Sequence, residues 1–130
     1  MNTQEKAARV FTREKLDELF PPERSDDFFD ALYGDAAEGA YDIRLVFRAA
    51  EPQTLHFAFE LHQRPGKCLA CNLTYGLPQV FTRHPLINIK GLAGELGGLV
   101  GWNTDELNFQ LGRTEENSPK LHLIPLRIQR

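Results

Sequence analysis

Residues 41–63 read YDIRLVFRAAEPQTLHFAFELHQ, and this stretch decides the fold. Apolar and polar residues alternate with a period of two over 41–48 and again over 55–62. Such alternation is typical of strands that bury one face. The connection between the two runs, residues 49–53, has the length of a hairpin loop. The stretch therefore predicts an antiparallel pair of half-buried strands.

The following residues predict a third strand. A turn at 64–67 contains Pro65-Gly66, and an alternating run follows from Cys68 to Tyr75. With the first pair, this run predicts a three-stranded antiparallel meander. We expect residues 76–85 to be irregular, because Gly76-Leu77-Pro78 interrupts the pattern.

The C-terminal third predicts one helix and two strands. Asn88 is placed to cap a helix whose apolar residues follow the helical period up to Val100. Alternating runs at 107–111 and 121–128 predict two further strands. Pro125 interrupts the second of these runs and predicts a bulge or an edge position.

The acidic N-terminal third predicts two short helices. Thr12 is placed to cap the first, and Pro22 to open the second, which ends at Gly34. The buried stripe of the second helix is expected to consist of four residues: Phe28, Phe29, Leu32 and Tyr33. We expect residues 1–11 to be disordered. The order α-βββ-α-ββ predicts one α+β domain over residues 1–130, with helices on one face of a single sheet.

The composition is that of an ordinary globular domain, with 130 residues, 42% hydrophobic and 25% charged. The net charge of −3 argues against a dedicated nucleic-acid binder. No apolar run has the length of a signal peptide or approaches the roughly 18 residues of a membrane span. We therefore expect a cytoplasmic protein that does not interact with membranes.

Between Glu60 and Glu95 the chain has no acidic residue, and this span holds both cysteines. A zinc site would use Cys68, Cys71 and His84, with His62 or His56 as the fourth ligand. A redox pair is the second interpretation of the Cys-x-x-Cys motif. The third is structural, because Cys71 is in phase with the apolar residues of the predicted strand. The residues leave these interpretations open.

The same span carries four basic residues, which predict a site for a phosphate or carboxylate group. They are Arg64, Lys67, Arg83 and Lys90.

Glycines recur along the predicted C-terminal helix at spacings of three, four and three. They are Gly91, Gly94, Gly98 and Gly101. Each glycine inside a helix costs about 0.5–1 kcal/mol relative to alanine. The glycine face is therefore predicted to contact a sheet or a partner helix closely. The Walker and dinucleotide-binding patterns are both missing from this segment.

The run from His62 to Pro78, together with His84-Pro85 and residues 87–91, resembles a small bacterial family without an established activity. Its members sometimes carry the label "pancreas/duodenum homeobox protein". A homeodomain consists of three helices with a basic recognition helix. Here the single tryptophan, Trp102, follows a glycine-rich helix, and about half of the chain has strand patterns. The resemblance therefore implies no activity and no site residues.

The predicted order of elements resembles that of type III secretion chaperones, which dimerise and lack enzymatic activity. The sequence also shows no arrangement of nucleophile, base and orienting acid. We therefore expect a non-enzymatic binding or assembly module that forms a homodimer or binds a protein partner. The alternatives are a zinc or thiol site at the cysteine pair and an anion site in residues 64–90.

Overall fold

Helices precede and interrupt one antiparallel sheet in the computed structural model, which describes residues 2–35, 37, 39–69 and 76–130. The helices are α1 (Thr3–Val10), α2 (Arg13–Leu19), α3 (Arg24–Tyr33), α4 (Leu77–Arg83) and α5 (Ile89–Leu99), and a 3-10 turn spans Thr104–Glu106. The strands are β1 (Tyr41–Ala50), β2 (Thr54–Gln63), β3 (Asn108–Leu111), β4 (Glu115–Ser118) and β5 (Leu121–Gln129). The predicted α+β class and the β1–β2 hairpin are confirmed.

The order of strands differs from the predicted meander. The neighbours run β1-β2-β5-β3, and β4 also pairs with β5, so the last strand of the chain lies beside β2. Of the predicted third strand, Cys68 and Leu69 lie outside any strand, and residues 70–75 lie outside the described residues. Three strands follow α5 instead of the predicted two, because the edge beside β5 is divided into β3 and β4.

Pro125 explains why that edge is divided. Its carbonyl accepts a hydrogen bond from the N–H of Gly112 at 2.8 Å. In an antiparallel strand the N–H and C=O of a residue point toward the same neighbour, and proline has no N–H to donate. The ladder therefore breaks opposite Pro125, between β3 and β4, while β5 stays continuous. The bulge or edge position predicted at Pro125 is therefore not seen in β5, and the interruption lies between β3 and β4, which pair with β5.

The core lies on one face of the sheet. Residues of β1, β2 and β5 that point to this face are buried: Ile43, Leu45, Leu55, Phe57, Phe59, Leu61, Ile124, Leu126 and Ile128. Phenylalanines of the helical segments pack on them edge to face. Phe11 contacts Phe57 at 4.9 Å between ring centroids, and Phe20 contacts Phe59 at 5.4 Å. The prediction that the helices cover one face is confirmed for these elements.

Two N-terminal expectations need correction. Helix α1 forms where disorder was expected, because Asn2 accepts a hydrogen bond from Glu5 N–H and Ala7 is buried. In α3, Leu32 and Tyr33 are 44% and 54% exposed instead of buried. The buried residues of α3 all lie in its first six positions, so its last turn does not reach the core.

Three predicted helix signals are confirmed, whereas Pro22 lies before the N-cap of α3, Glu23, instead of opening the helix. Thr12 caps α2, Asn88 caps α5, and Gly34 ends α3 in a left-handed conformation with φ of +80°. Helix α4 replaces the irregular segment expected before Pro85. Pro78 lies in the first turn of α4, where its missing N–H would have no intrahelical acceptor. None of the helices in the described part of the chain is long and apolar enough to cross a lipid bilayer.

Candidate functional site

The glycines of α5 fall into two groups. A Cβ at position 91 would overlap the side chain of Asn88, which caps the helix, and Gly101 has a φ of +82°. Gly97 is buried, and a Cβ there would overlap Leu107. The conformation and packing of the chain therefore account for glycine at these three positions.

Gly94 and Gly98 have space that the chain does not use. A Cβ at position 94 would lie 3.9 Å from Thr104 Cβ, and one at position 98 would lie 3.7 Å from Thr104 Cγ2. Both are ordinary van der Waals distances. Gly98 is exposed, and Gly94 lines a small cleft of about 200 Å³ that also includes Lys90 and Asp105. Packing against the described residues thus explains glycine at neither position.

Arg64, the first residue of the predicted anion site, is held by two carboxylates. Its guanidinium lies 2.8 Å from Asp26 Oδ1 and 2.9 Å from Asp42 Oδ1. The guanidinium also lies over the ring of Phe29, at 5.2 Å from the centroid, and the side chain is only 15% exposed. The charge of Arg64 is therefore compensated by α3 and β1. We call this cluster, with Ser25 and Ile43 beside it, the Arg64 corner.

The edge of β1 is closed at the same corner. The buried Ser25 hydroxyl accepts a hydrogen bond from Ile43 N–H at 2.8 Å and donates to the Ile43 carbonyl at 3.4 Å. Arg13 donates to the Leu45 carbonyl at 2.6 Å. Backbone groups that an edge strand leaves open are thus satisfied by side chains of α2 and α3. Burial raises the pKa of Tyr41, at the start of β1.

The other predicted anion residues are Lys67, in the same turn as Arg64, Arg83 in α4 and Lys90 in α5. Lys67, Arg83 and Lys90 are exposed, and Lys90 lines the cleft beside Gly94. The backbone N–H of Lys67 donates to the Arg64 carbonyl at 3.1 Å, so these two residues share the turn after β2. A shared phosphate or carboxylate site for all four stays a prediction.

The structure describes Cys68, His84 and His62 of the predicted metal site. Cys68 is exposed and disulfide-bonded, and Cys71 lies outside the described residues. His84 packs against Phe28 on the core side, at 4.9 Å between ring centroids. His62 points to the opposite face of the sheet, where its Nε2 lies 2.9 Å from Glu60 Oε1. Within the described segments, no group of three or more His, Cys, Asp or Glu side chains is placed to hold a metal ion.

The helix-free face of the sheet is polar and largely paired within itself. Arg48 lies 3.4 Å from Glu115, and Arg127 donates to Gln110 at 2.8 Å. Shallow grooves run beside His56 on this face. An antiparallel sheet with one solvated face has this character.

A cavity of about 430 Å³ lies where the start of α1 meets the end of β5 and the turn after α5. We call it the Trp102 cavity, and Lys6, Gly101, Trp102 and Arg130 are among its lining residues. The guanidinium of Arg130 lies 5.1 Å from the centroid of the Trp102 ring. Sequence reasoning missed this cavity, because its walls come from both ends of the chain. The lone tryptophan after a glycine was the only local signal.

The fold and these surfaces define an α+β protein with a one-sided antiparallel sheet. No family model, curated protein or solved structure matches the chain.

Proposed function

We propose that the protein is a non-enzymatic binding or assembly module, of the adaptor or chaperone type. It forms a homodimer through the face of α5 that carries Gly94 and Gly98. The observation that supports this is the unused space at the two glycines. Alanine fits at both positions and would stabilise the helix by about 0.5–1 kcal/mol per residue.

Glycine at positions 94 and 98 makes the helix less stable than alanine would, and close approach of a partner backbone would explain why glycine is present. Small residues at a helix crossing let two backbones come nearer than any Cβ would allow. A two-fold dimer places the same surface on both sides of its interface. If two copies of α5 cross at Gly94 and Gly98, each protomer contributes the same helix face, as a two-fold dimer requires.

Sedimentation equilibrium of the full chain tests the proposal. We expect a dimer whose dissociation constant rises at least about tenfold in Gly98→Ala, because one methyl group per protomer enters a packed crossing. Gly76→Ala is the matched control. Gly76 has a negative φ of −84°, and a Cβ there would have no described neighbour within 4 Å.

Two results would count against the homodimer. One is a monomer at millimolar concentration. The other is a dimer with the same dissociation constant in the wild type, Gly98→Ala and Gly76→Ala.

A thiol-based function of the Cys68-Leu69-Ala70-Cys71 motif is the second candidate. The exposed disulfide at Cys68 favours it, because an exposed disulfide is accessible to reductants. We expect the bond to titrate reversibly in glutathione buffers, with a midpoint of about −220 to −320 mV. A bond that resists this whole range is structural. The zinc prediction is tested separately, by elemental analysis of reduced protein purified without an affinity tag.

A further inference from the structure

The Trp102 cavity is lined by cations and lacks acids. Neither Lys6 nor Arg130 has a carboxylate within ion-pair distance in the described part of the chain. Among the described residues that line the cavity, none is an aspartate or a glutamate. Two positively charged side chains therefore border one concave surface, and no described acidic side chain does.

Both cations are placed by the residues around Trp102. The guanidinium of Arg130 is held over the indole ring by a cation–π contact. Lys6 Nζ lies 3.7 Å from the point where a Cβ of residue 101 would stand. Gly101 thus provides the left-handed turn after α5, and the ammonium group of Lys6 lies beside this turn.

The N-terminus of α1 adds to the positive potential. Asn2, Thr3 and Gln4 line the cavity, and Asn2 is the N-cap of this eight-residue helix. The first N–H groups of a helix lack intrahelical acceptors, and the helix dipole is positive at this end. Anions bind favourably in such a position.

Trp102 supplies an independent sign of a missing ligand. The residue is only 4% exposed, and its Nε1 is buried without a hydrogen-bond acceptor in the described part of the chain. A buried donor without an acceptor is costly, and native structures contain few of them. A bound molecule whose oxygen reached Nε1 would supply the missing acceptor.

We propose that the Trp102 cavity binds a small organic anion that carries a phosphate or carboxylate group. Arg130 and Lys6 pair with its charge, and the indole N–H of Trp102 donates a hydrogen bond to one of its oxygens. The volume of about 430 Å³ falls in the range of small-molecule sites, roughly 300–1,000 Å³. This site is separate from the proposed dimer face.

Fluorescence titration tests the site directly, because Trp102 is the only tryptophan of the chain. The probes are citrate, adenosine monophosphate and inorganic phosphate, added to the full chain at constant ionic strength and followed in parallel by calorimetry. We expect saturable binding of citrate or adenosine monophosphate that is tighter than that of phosphate. Tighter binding of citrate would identify carboxylate as the preferred group, and tighter binding of adenosine monophosphate would identify phosphate.

Two charge variants separate the site from general electrostatics. Arg130→Gln is expected to raise the dissociation constant about tenfold or more, since a hydrogen bond to a charged group is lost. Arg127→Gln makes the same change three residues earlier, in β5 and outside the cavity, and is expected to leave the constant unchanged. Equal weakening in both variants would overturn the proposal.

The remaining outcomes are equally decisive. Absence of saturable binding by both fluorescence and heat, for all three probes, contradicts the site. If inorganic phosphate binds as tightly as the two organic probes, the cavity holds an adventitious ion only, and the proposal of an organic ligand is wrong. Trp102→Phe, followed by calorimetry, is expected to weaken the organic probe several-fold. Unchanged affinity in this variant removes the indole from the proposal.

Discussion

The Arg64 corner and the Trp102 cavity contain the same local contact and use it differently. In each, an arginine guanidinium lies over an aromatic ring, at 5.2 Å for Arg64 and 5.1 Å for Arg130. Arg64 is also paired with two carboxylates, whereas no described carboxylate is within ion-pair distance of Arg130. In both regions the aromatic ring fixes the position of the arginine. Paired carboxylates give Arg64 a structural role, whereas we infer that Arg130, without such a pair among the described residues, binds a ligand.

Hydrogen-bond donors show the same contrast. At the Arg64 corner, Ser25 satisfies both backbone groups of Ile43. At the cavity, Trp102 Nε1 is buried without an acceptor in the described part of the chain. The first region is complete within the chain, and we infer that the second is completed by a bound molecule.

The largest effect is expected from breaking the completed region at Ser25. Ser25→Ala leaves the N–H of Ile43 without its acceptor and should lower the free energy of unfolding by about 1–3 kcal/mol. Urea denaturation measures this change. Ser118→Ala is the control, because its exposed hydroxyl accepts from Lys120 N–H where water can replace it. Equal losses in the two variants would show that Ser25 does not close the β1 edge.

The two arginines provide the most direct comparison. Arg64→Gln is expected to lower the free energy of unfolding by about 1–2 kcal/mol, because two ion pairs and a cation–π contact are lost. Arg130→Gln is expected to change it by less than about 0.5 kcal/mol. Chemical denaturation of both variants tests the difference. A reversed order would contradict the structural role assigned to Arg64.

Alkaline pH should weaken the Arg64 corner through Tyr41, which packs edge to face on Phe29. Burial raises the pKa of Tyr41 in the folded chain, so above the ordinary tyrosine pKa of about 10 only the unfolded chain loses this proton. The folded chain then holds more protons, and stability falls as pH rises. The loss reaches about 1.4 kcal/mol near pH 11.

Two tyrosine variants isolate this effect in denaturant titrations across the alkaline range. Tyr41→Phe should remove the loss, and Tyr33→Phe, at an exposed position, should retain it. The same alkaline loss in Tyr41→Phe as in the wild type would assign it to other groups.

The smallest effect separates the two groups of glycines in α5. For the dilute monomer, Gly98→Ala should raise the free energy of unfolding by about 0.5–1 kcal/mol, because helix propensity improves and nothing is displaced. Gly97→Ala should lower it, because its methyl group would overlap Leu107. Thermal denaturation below the dimerisation range measures both. A loss of stability in Gly98→Ala would mean that the chain itself needs glycine there.

Local patterns in the sequence predict much of the fold. The β1–β2 hairpin follows from alternation, and the caps at Thr12, Asn88 and Gly34 follow from residue chemistry within one helical turn. Helix α4 was missed because Pro78 looks like a break, although proline is tolerated in a first turn. The position of β5 beside β2 depends on pairing between residues about 65 apart, which no local pattern encodes.

The candidate sites were less predictable for the same reason. Arg64 stood out as basic because the acids that neutralise it, Asp26 and Asp42, lie far away in sequence. Lys6, Trp102 and Arg130 come together only after the sheet has formed. The glycine stripe was visible in the sequence, but only the structure separates the two unexplained glycines from those with intrachain reasons.

Hydrogen–deuterium exchange at low and high protein concentration tests the central claim, that the chain is an assembly module that pairs through α5. The account predicts that amides of residues 94–101 gain protection as concentration rises, while amides of residues 41–45 at the Arg64 corner stay unchanged. Unchanged exchange along α5 at all concentrations, or an equal gain in both regions, would contradict it.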